Sequence, residues 1–319
     1  MNATVQPENP GASAPPTELE RGDFARGRDA DARAGRLVVV TYNIRYAVGS
    51  HLIGGSLLRR VGLGWPGRRP RLVAGNLQMA ARLLNGGAAG MPPADVVALQ
   101  EADRATLRAG RRHVARELAE ALRMNYVRAH VPTPGDVEPL GRKWWLDFEE
   151  PLRRGEEGDT GVALLSRLPL SDATRVELPW DKCPWRPRLA VAASVPFGGG
   201  RLHVFNAHID THADVEGQLR QHRAVLALAE RPGGSEPAVL VGDFNTMTDE
   251  ARRAARELLE SHGFVTPLPT NTPTWRSGPL RRHFDWVFTR GARVTRWGVA
   301  RVRGVSDHWP VWVELEPER

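Results

Sequence analysis

Val239-Leu240-Val241-Gly242-Asp243-Phe244-Asn245 is an apolar run that stops at a glycine and then presents a carboxylate and a carboxamide two residues apart. Side chains of an extended strand alternate faces, so Asp243 and Asn245 point the same way and can address one reacting atom. A carboxylate serves a metal or an attacking water, and an amide offers a donor and an acceptor to orient that water or a phosphoryl oxygen. The same residues beside glycine also form plain turns. The stretch becomes informative only if other apolar strands end in the same way.

Several do. Leu37-Val38-Val39-Val40-Thr41-Tyr42-Asn43 is a β-branched run of the buried-strand type and ends in Asn43. Ala94 to Glu101 is another and finishes in a carboxylate. Leu189 to Val195 and Leu202 to His208 form an antiparallel pair across the turn Gly198-Gly199-Gly200, and the second of them ends Asn206-Ala207-His208. Asp159 to Arg167 is a further strand. Two more close the chain: His283 to Phe288, which contains Asp285, and Trp309 to Glu314, immediately preceded by Ser306-Asp307-His308. Helical spacing of apolar residues predicts helices over 72–84, 111–124, 215–229 and 250–262, the last capped by Gly263. Strands interleaved with helices indicate an α/β or α+β class.

Residues 1–35 are rich in Pro, Gly, Ala, Arg and acids without periodicity, which predicts a disordered N-terminal tail. Residues 36–319 show no linker-like boundary and read as one catalytic domain. No apolar run approaches the ~20 residues that span a bilayer, and the start has no apolar signal core. With a single cysteine, Cys183, an internal disulfide is excluded. These features fit a cytoplasmic protein. The net charge of +7 favours phosphate-bearing partners. Of the 44 basic residues only Lys143 and Lys182 are lysines, however, so codon bias explains the charge equally well.

The polar residues at the strand ends are Asn43, Glu101, His208, Asp243, Asn245, Asp285, Asp307 and His308. In α/β folds such ends line the ligand crevice. Their types suit phosphodiester hydrolysis, which needs oxygen ligands for a hard cation, a group to take a proton from water, and cationic or hydrogen-bonding groups for the transition-state charge. On that chemistry Glu101 supplies a metal carboxylate, Asp307 adds another, Asp243 takes the proton beside Asn245, and Asp285 orients a cationic His308.

Thr41-Tyr42-Asn43-Ile44-Arg45, Leu99-Gln100-Glu101, Asn206-Ala207-His208, Gly242-Asp243-Phe244-Asn245, Phe284-Asp285-Trp286 and Ser306-Asp307-His308 occur in that order over residues 37–314. In this the chain resembles the endonuclease/exonuclease/phosphatase superfamily. The resemblance implies a deoxyribonuclease-like four-layer sandwich of two packed mixed β-sheets flanked by helices. It implies Glu101 as principal ligand of Mg²⁺, with Mn²⁺ as a substitute, and Asn43 and Asp307 beside the metal. Asp243 and Asn245 would handle the water, His308 with Asp285 would face the scissile phosphate, and His208 would contact phosphate or leaving group. Arg45 stands where abasic-site endonucleases tend to carry an acid, which points instead to general bacterial hydrolases. It is assigned to substrate phosphate, with a salt bridge as the alternative.

The motifs leave a nuclease and a lipid or small-molecule phosphodiesterase or phosphatase both open, because specificity lies in loops. Residues 46–70 and 131–158 are the discriminating stretches. Arginines lining a groove there would favour nucleic acid. Exposed Leu52, Ile53, Leu57, Leu58, Trp144 and Trp145 would favour a membrane surface. A catalytically silent binding scaffold is the remaining class, and no feature points to a protein partner.

Overall fold

A β-branched run with no polar face is stable only where both faces of the strand are covered. Leu37–Asn43 (β2) is buried along its whole length, as are Val96–Gln100 (β3) and Ala238–Asp243 (β9). The computed structural model describes residues 19–25, 35–49, 68–87, 90–132, 156–179, 188–230 and 236–318.

β2 and β3 pair in parallel at the centre of a seven-stranded sheet. Its order is β1 (Glu20–Gly22), β4 (Asn125–Pro132), β5 (Asp159–Ser166), β3, β2, β14 (Val311–Pro317), β13 (Ala292–Val299). β9 pairs in parallel with β8 (Gly200–His208) inside a five-stranded sheet, ordered β12 (Asp285–Arg290), β9, β8, β7 (Leu189–Phe197), β6 (Ser171–Glu177). The remaining pairings are antiparallel, including the separate hairpin of β10 (Trp275–Ser277) and β11 (Leu280–Arg282).

Alternation then assigns each side chain to a layer. Val39, Val96, Ala98 and Leu164 of the first sheet meet Val191, Val204, Val239 and Val241 of the second in one central core. The opposite face of the first sheet, with Val40, Tyr42 and Leu99, packs under α1 (Arg68–Arg82) and α2 (Val114–Leu122). Phe205 and Leu240 on the second sheet pack under α3 (Val215–Ala229) and α4 (Asp249–Ser261). This is the four-layer sandwich of two mixed sheets flanked by helices.

The two sheets are also tied through buried polar groups. Gln100 Nε2 donates to Asn206 Oδ1 at 2.6 Å, and Asn206 Nδ2 donates to the carbonyls of Leu99 and Ala163, each at 2.9 Å. Leaving such groups unpaired costs about 1–3 kcal/mol each, so this tie fixes the ends of β3 and β8 against each other.

The expected structureless tail is corrected at Glu20–Gly22, which adds an edge strand to β4. The reason is one carboxylate. Glu20 accepts from Tyr126 Oη at 2.7 Å and Arg128 Nη1 at 3.3 Å, and it also pairs with His113. Burial would raise its pKa, but these partners outweigh burial and hold it down at about 2. The readings made for Leu52, Ile53, Leu57, Leu58, Trp144, Trp145 and Cys183 lie outside the described residues. Among the described residues no helix is long and apolar enough to cross a membrane.

Candidate active site

Asp243 leaves β9 beside a position that only glycine can occupy. Gly242 has φ +150°, and a Cβ there would lie 1.8 Å from the Ala207 carbonyl oxygen of β8. The close approach keeps the strands in register, so His208 of β8 and Asp285 of β12 both stand opposite Asp243. Three ionisable side chains thus share one row across three adjacent strands. On the other sheet Asn43 ends β2, while Glu101 follows β3 in a left-handed conformation (φ +54°).

The two sheet ends meet through Asn43. Its Nδ2 donates to Glu101 Oε1 at 3.0 Å and to Asp243 Oδ2 at 2.9 Å, and its Oδ1 accepts from the Arg45 amide at 2.9 Å. Asp243 Oδ1 accepts the Asn245 amide at 3.0 Å. Two imidazoles flank Asp243 Oδ2, with His208 Nε2 at 3.7 Å and His308 Nε2 at 3.8 Å. His308 Nδ1 lies 2.9 Å from Asp285 Oδ2 and 3.1 Å from Oδ1. Asp285 is itself held by its backbone amide, which donates to Thr274 Oγ1 at 3.0 Å.

These side chains are almost wholly removed from water: Glu101, Asp243, Asp285 and His308 are 5%, 1%, 0% and 7% exposed. Burial pushes Asp243 up to about 7; Asp285 adds to the rise, while His308 and the Asn43 amide oppose it. For His308 burial works against the charge, but Asp285 and Asp243 prevail and raise it to about 10. The site therefore pairs a carboxylate poised near neutrality with a lasting imidazolium.

Asp307 sits one step aside. Its Oδ2 accepts from Trp275 Nε1 at 3.1 Å and pairs with Arg45 Nη1 at 3.2 Å. Arg45 thus makes the salt bridge that the sequence left as the alternative to a phosphate contact. Asn245 is brought in, but its Nδ2 donates to the Ile209 carbonyl at 2.9 Å, so its main link to Asp243 is the backbone amide.

Asp243, Asp285 and His308 can each place one ligand atom within 4.8 Å of the others, the spacing of a metal cluster. In this structure that group is closed on itself, because His308 Nδ1 already lies 2.9 Å from Asp285 Oδ2 and 3.1 Å from Oδ1. The better fit is Glu101, a buried carboxylate whose Oε1 accepts from Asn43 Nδ2, because a carboxylate oxygen is the ligand type hard divalent ions prefer. Zinc, which favours nitrogen and sulfur, fits this oxygen set less well.

Sequence reasoning missed four residues of the site. Arg188 Nη1 lies 3.1 Å from His208 Nδ1, yet it precedes β7 without any motif. Thr274 supports Asp285 from a loop. Gln218 and Gln221, both buried on α3, brace the carbonyls of Asn245 and Asp210 and the amide of Asp210. Two buried glutamines three residues apart on a helix face were the available signal.

A family model described as the Endonuclease/Exonuclease/phosphatase family matches residues 40–308. The chain belongs to this family. Its members are phosphoesterase hydrolases. Among curated relatives, the UPF0294 protein VV2535 of Vibrio vulnificus (strain YJ016) is 31% identical over 140 residues, which is 41% of this chain and 46% of that protein. The chain thus matches less than half the length of this relative. Among solved structures, the endonuclease/exonuclease/phosphatase from Beutenbergia cavernae DSM 12333 has a TM-score of 0.59 and 21% identity, over 89% of this chain and 72% of its own. Mannosyl-6-phosphatase Bt3783 of Bacteroides thetaiotaomicron VPI-5482 gives a TM-score of 0.55 and 19% identity, over 88% of this family member and 99% of its own chain. D. rerio TDP2 complexed with single strand DNA product gives 0.54 and 16%, with the same coverages of 88% and 99%. At these identities the likeness is one of fold.

Proposed function

We propose that the protein hydrolyses phosphodiester bonds of nucleic acid, with Mg²⁺ as cofactor and Mn²⁺ as its substitute. One observation carries this reading: Asp285, His308, Asp243, Asn43 and Glu101 form a continuous row with successive separations of 2.9, 3.8, 2.9 and 3.0 Å. A proton acceptor, a fixed cation and a cation-binding carboxylate are thereby presented to one small volume.

The residues divide the chemistry. Asp243 takes a proton from the attacking water, whose oxygen bonds to phosphorus as the opposite P–O bond breaks; a pKa near the working pH suits that task. The Asn245 amide holds the second oxygen of Asp243 in place. His308 directs Nε2–H at a phosphoryl oxygen and offsets the charge that develops there, with Asp285 keeping it protonated. His208 offers a second contact from the other side. Glu101, with Asn43 and Asp307 near it, would hold the divalent cation, which when bound neutralises phosphate charge and activates water. Arg45 keeps Asp307 in position rather than reaching for substrate.

The rim of the site supports an extended polyanion. Arg281 of β11 and Arg301 each lie 5.8 Å from the ring of Trp309, the residue after His308. Both guanidinium-bearing residues are exposed, as are Arg282 and Arg303. No acidic residue occurs between His262 and Asp285 or between Asp285 and Asp307. Like charges gathered around one indole, with no acidic partner among the described residues, suit the phosphates flanking a scissile one. The hairpin's exposed apolar residues are Pro279 and Leu280, which is little for a lipid surface.

A substrate panel tests the reading: bis-p-nitrophenyl phosphate, single- and double-stranded DNA, RNA, phospholipid and sugar monophosphates, each with Mg²⁺ and with EDTA. EDTA-sensitive cleavage of the diester and of a nucleic acid is expected. Hydrolysis of monoesters alone would replace it with a sugar-phosphatase reading. No turnover on any substrate would favour a silent scaffold.

A further inference from the structure

The two histidines of the site face the same carboxylate oxygen, but their outer nitrogens meet opposite partners. His308 Nδ1 meets the Asp285 carboxylate, which can only accept a proton. His208 Nδ1 meets Arg188 Nη1 at 3.1 Å, and a guanidinium can only donate. A hydrogen bond between Arg188 and His208 therefore requires a lone pair on His208 Nδ1, which leaves the ring's proton on Nε2. Adding a second proton would set two donors and two positive charges against each other at a contact where Arg188 and His208 are 7% and 4% exposed.

We propose that Arg188 is a positioning residue that locks His208 as the neutral Nε2–H tautomer, making it an uncharged hydrogen-bond donor to a phosphoryl oxygen. The substrate side of this assignment rests on the phosphodiesterase reading; the tautomer does not. Arg188 faces His208 at Nδ1, and Asp243 faces it at Nε2, 3.7 Å away.

The consequence concerns Asp243. Two imidazolium ions at 3.7 and 3.8 Å from its Oδ2 would both favour the carboxylate and weaken it as a base. A neutral His208 supplies the second N–H without the second charge. The substrate oxygen still meets two donors, only one of which carries a charge.

The test is ¹⁵N NMR of the histidine side chains in the full chain without added metal, together with kinetics on bis-p-nitrophenyl phosphate. In the unsubstituted protein, His208 is expected to show protonated Nε2 and unprotonated Nδ1 from pH 6 to 8, without titrating. Arg188→Met should release it, so that the ring titrates near its ordinary value of about 6.5. The kcat of Arg188→Met should fall about 10- to 100-fold, the usual cost of losing an orienting partner. Its rate profile should gain an ionisation in that range. Arg188→Lys, which still donates, should restore the tautomer and part of the rate. An imidazolium or an Nδ1–H ring at pH 7 in the unsubstituted protein would overturn the proposal, as would an unchanged His208 signal in Arg188→Met. Should the methionine variant not fold, the unsubstituted protein and the lysine variant decide the matter. If the tautomer is found without any diesterase activity, only the functional reading fails.

Discussion

His308 Nε2 lies 3.8 Å from Asp243 Oδ2, too far for a hydrogen bond but close enough for one oxygen atom, set to the side of the line joining them, to reach both. A phosphoryl oxygen or the attacking water can take that bridging position.

Opposite charges across the gap set the pH dependence. Asp243 must be ionised to accept a proton, so activity should rise as pH increases through about 7; His308 must keep its proton, so activity should fall as pH passes about 10. Because the two groups interact, the limbs belong to the pair. A profile of kcat/KM against pH on the diester checks this, and a maximum below pH 6 would contradict it.

Removing either partner should stop turnover without unfolding the protein. Asp243→Asn and His308→Gln keep size and hydrogen bonding but lose the base or the charge, and each should lower kcat by about 10²–10⁴-fold. Circular dichroism should be unchanged. Rates within a few fold of normal in both variants would move the chemistry elsewhere.

Glu101 is fixed by Asn43 at 3.0 Å and is the carboxylate proposed to hold the cation. Glu101→Gln should weaken Mg²⁺ binding by at least about tenfold in calorimetric titration, since a charged ligand becomes neutral. EDTA should abolish activity and added Mg²⁺ should restore it. If Asp285→Asn proves the more damaging to metal affinity, the cation belongs at the Asp243, Asp285 and His308 cluster instead.

At the rim, Arg281→Ala with Arg301→Ala should raise KM for single-stranded DNA and leave kinetics on bis-p-nitrophenyl phosphate nearly unchanged. A plot of log affinity against log salt should become shallower by roughly one for each phosphate that an arginine no longer neutralises. Equal impairment on both substrates would show that these arginines serve the fold.

His222 is expected to weaken the fold in acid. It is buried edge-on against Phe244 at 4.6 Å, and neither ring nitrogen has a hydrogen-bond partner among the described residues. Burial lowers its pKa to about 3. The unfolded ring takes a proton near 6.5 and the folded one does not, so the contribution is intact above 6.5 and lost as pH falls toward 3. The slope is about 1.4 kcal/mol per pH unit. His222→Phe should lose less melting temperature than the parent between pH 6.5 and 4.5. Parallel losses would assign the acid sensitivity to His283, which burial lowers to about 4.

How much of this was legible varies with where each residue's stability comes from. The helix expected over 215–229 is found at Val215–Ala229, and the hairpin of Leu189–Phe197 with Gly200–His208 is where its glycine turn placed it. Their signals are local. Ser171–Glu177 and Ala292–Val299 carry polar and charged residues and gave no strand signal. They exist because a neighbouring strand supplies hydrogen bonds and partners, as Glu314 does for Arg296 at 3.5 Å. Glu20–Gly22 is ordered for the same reason.

The order of residues along the chain was enough to single out Asn43, Glu101, Asp243, Asp285 and His308, because an apolar strand run bounded by a polar residue places that residue at the end of a sheet. It held no record of distance. That Asn43 bridges two carboxylates 58 and 200 positions away, that Arg45 answers Asp307, and that Arg188 stands on His208 were decided by the packing of two sheets. Those pairings join residues far apart in sequence, and a donor's partner is chosen by the space around it, which only the folded chain defines.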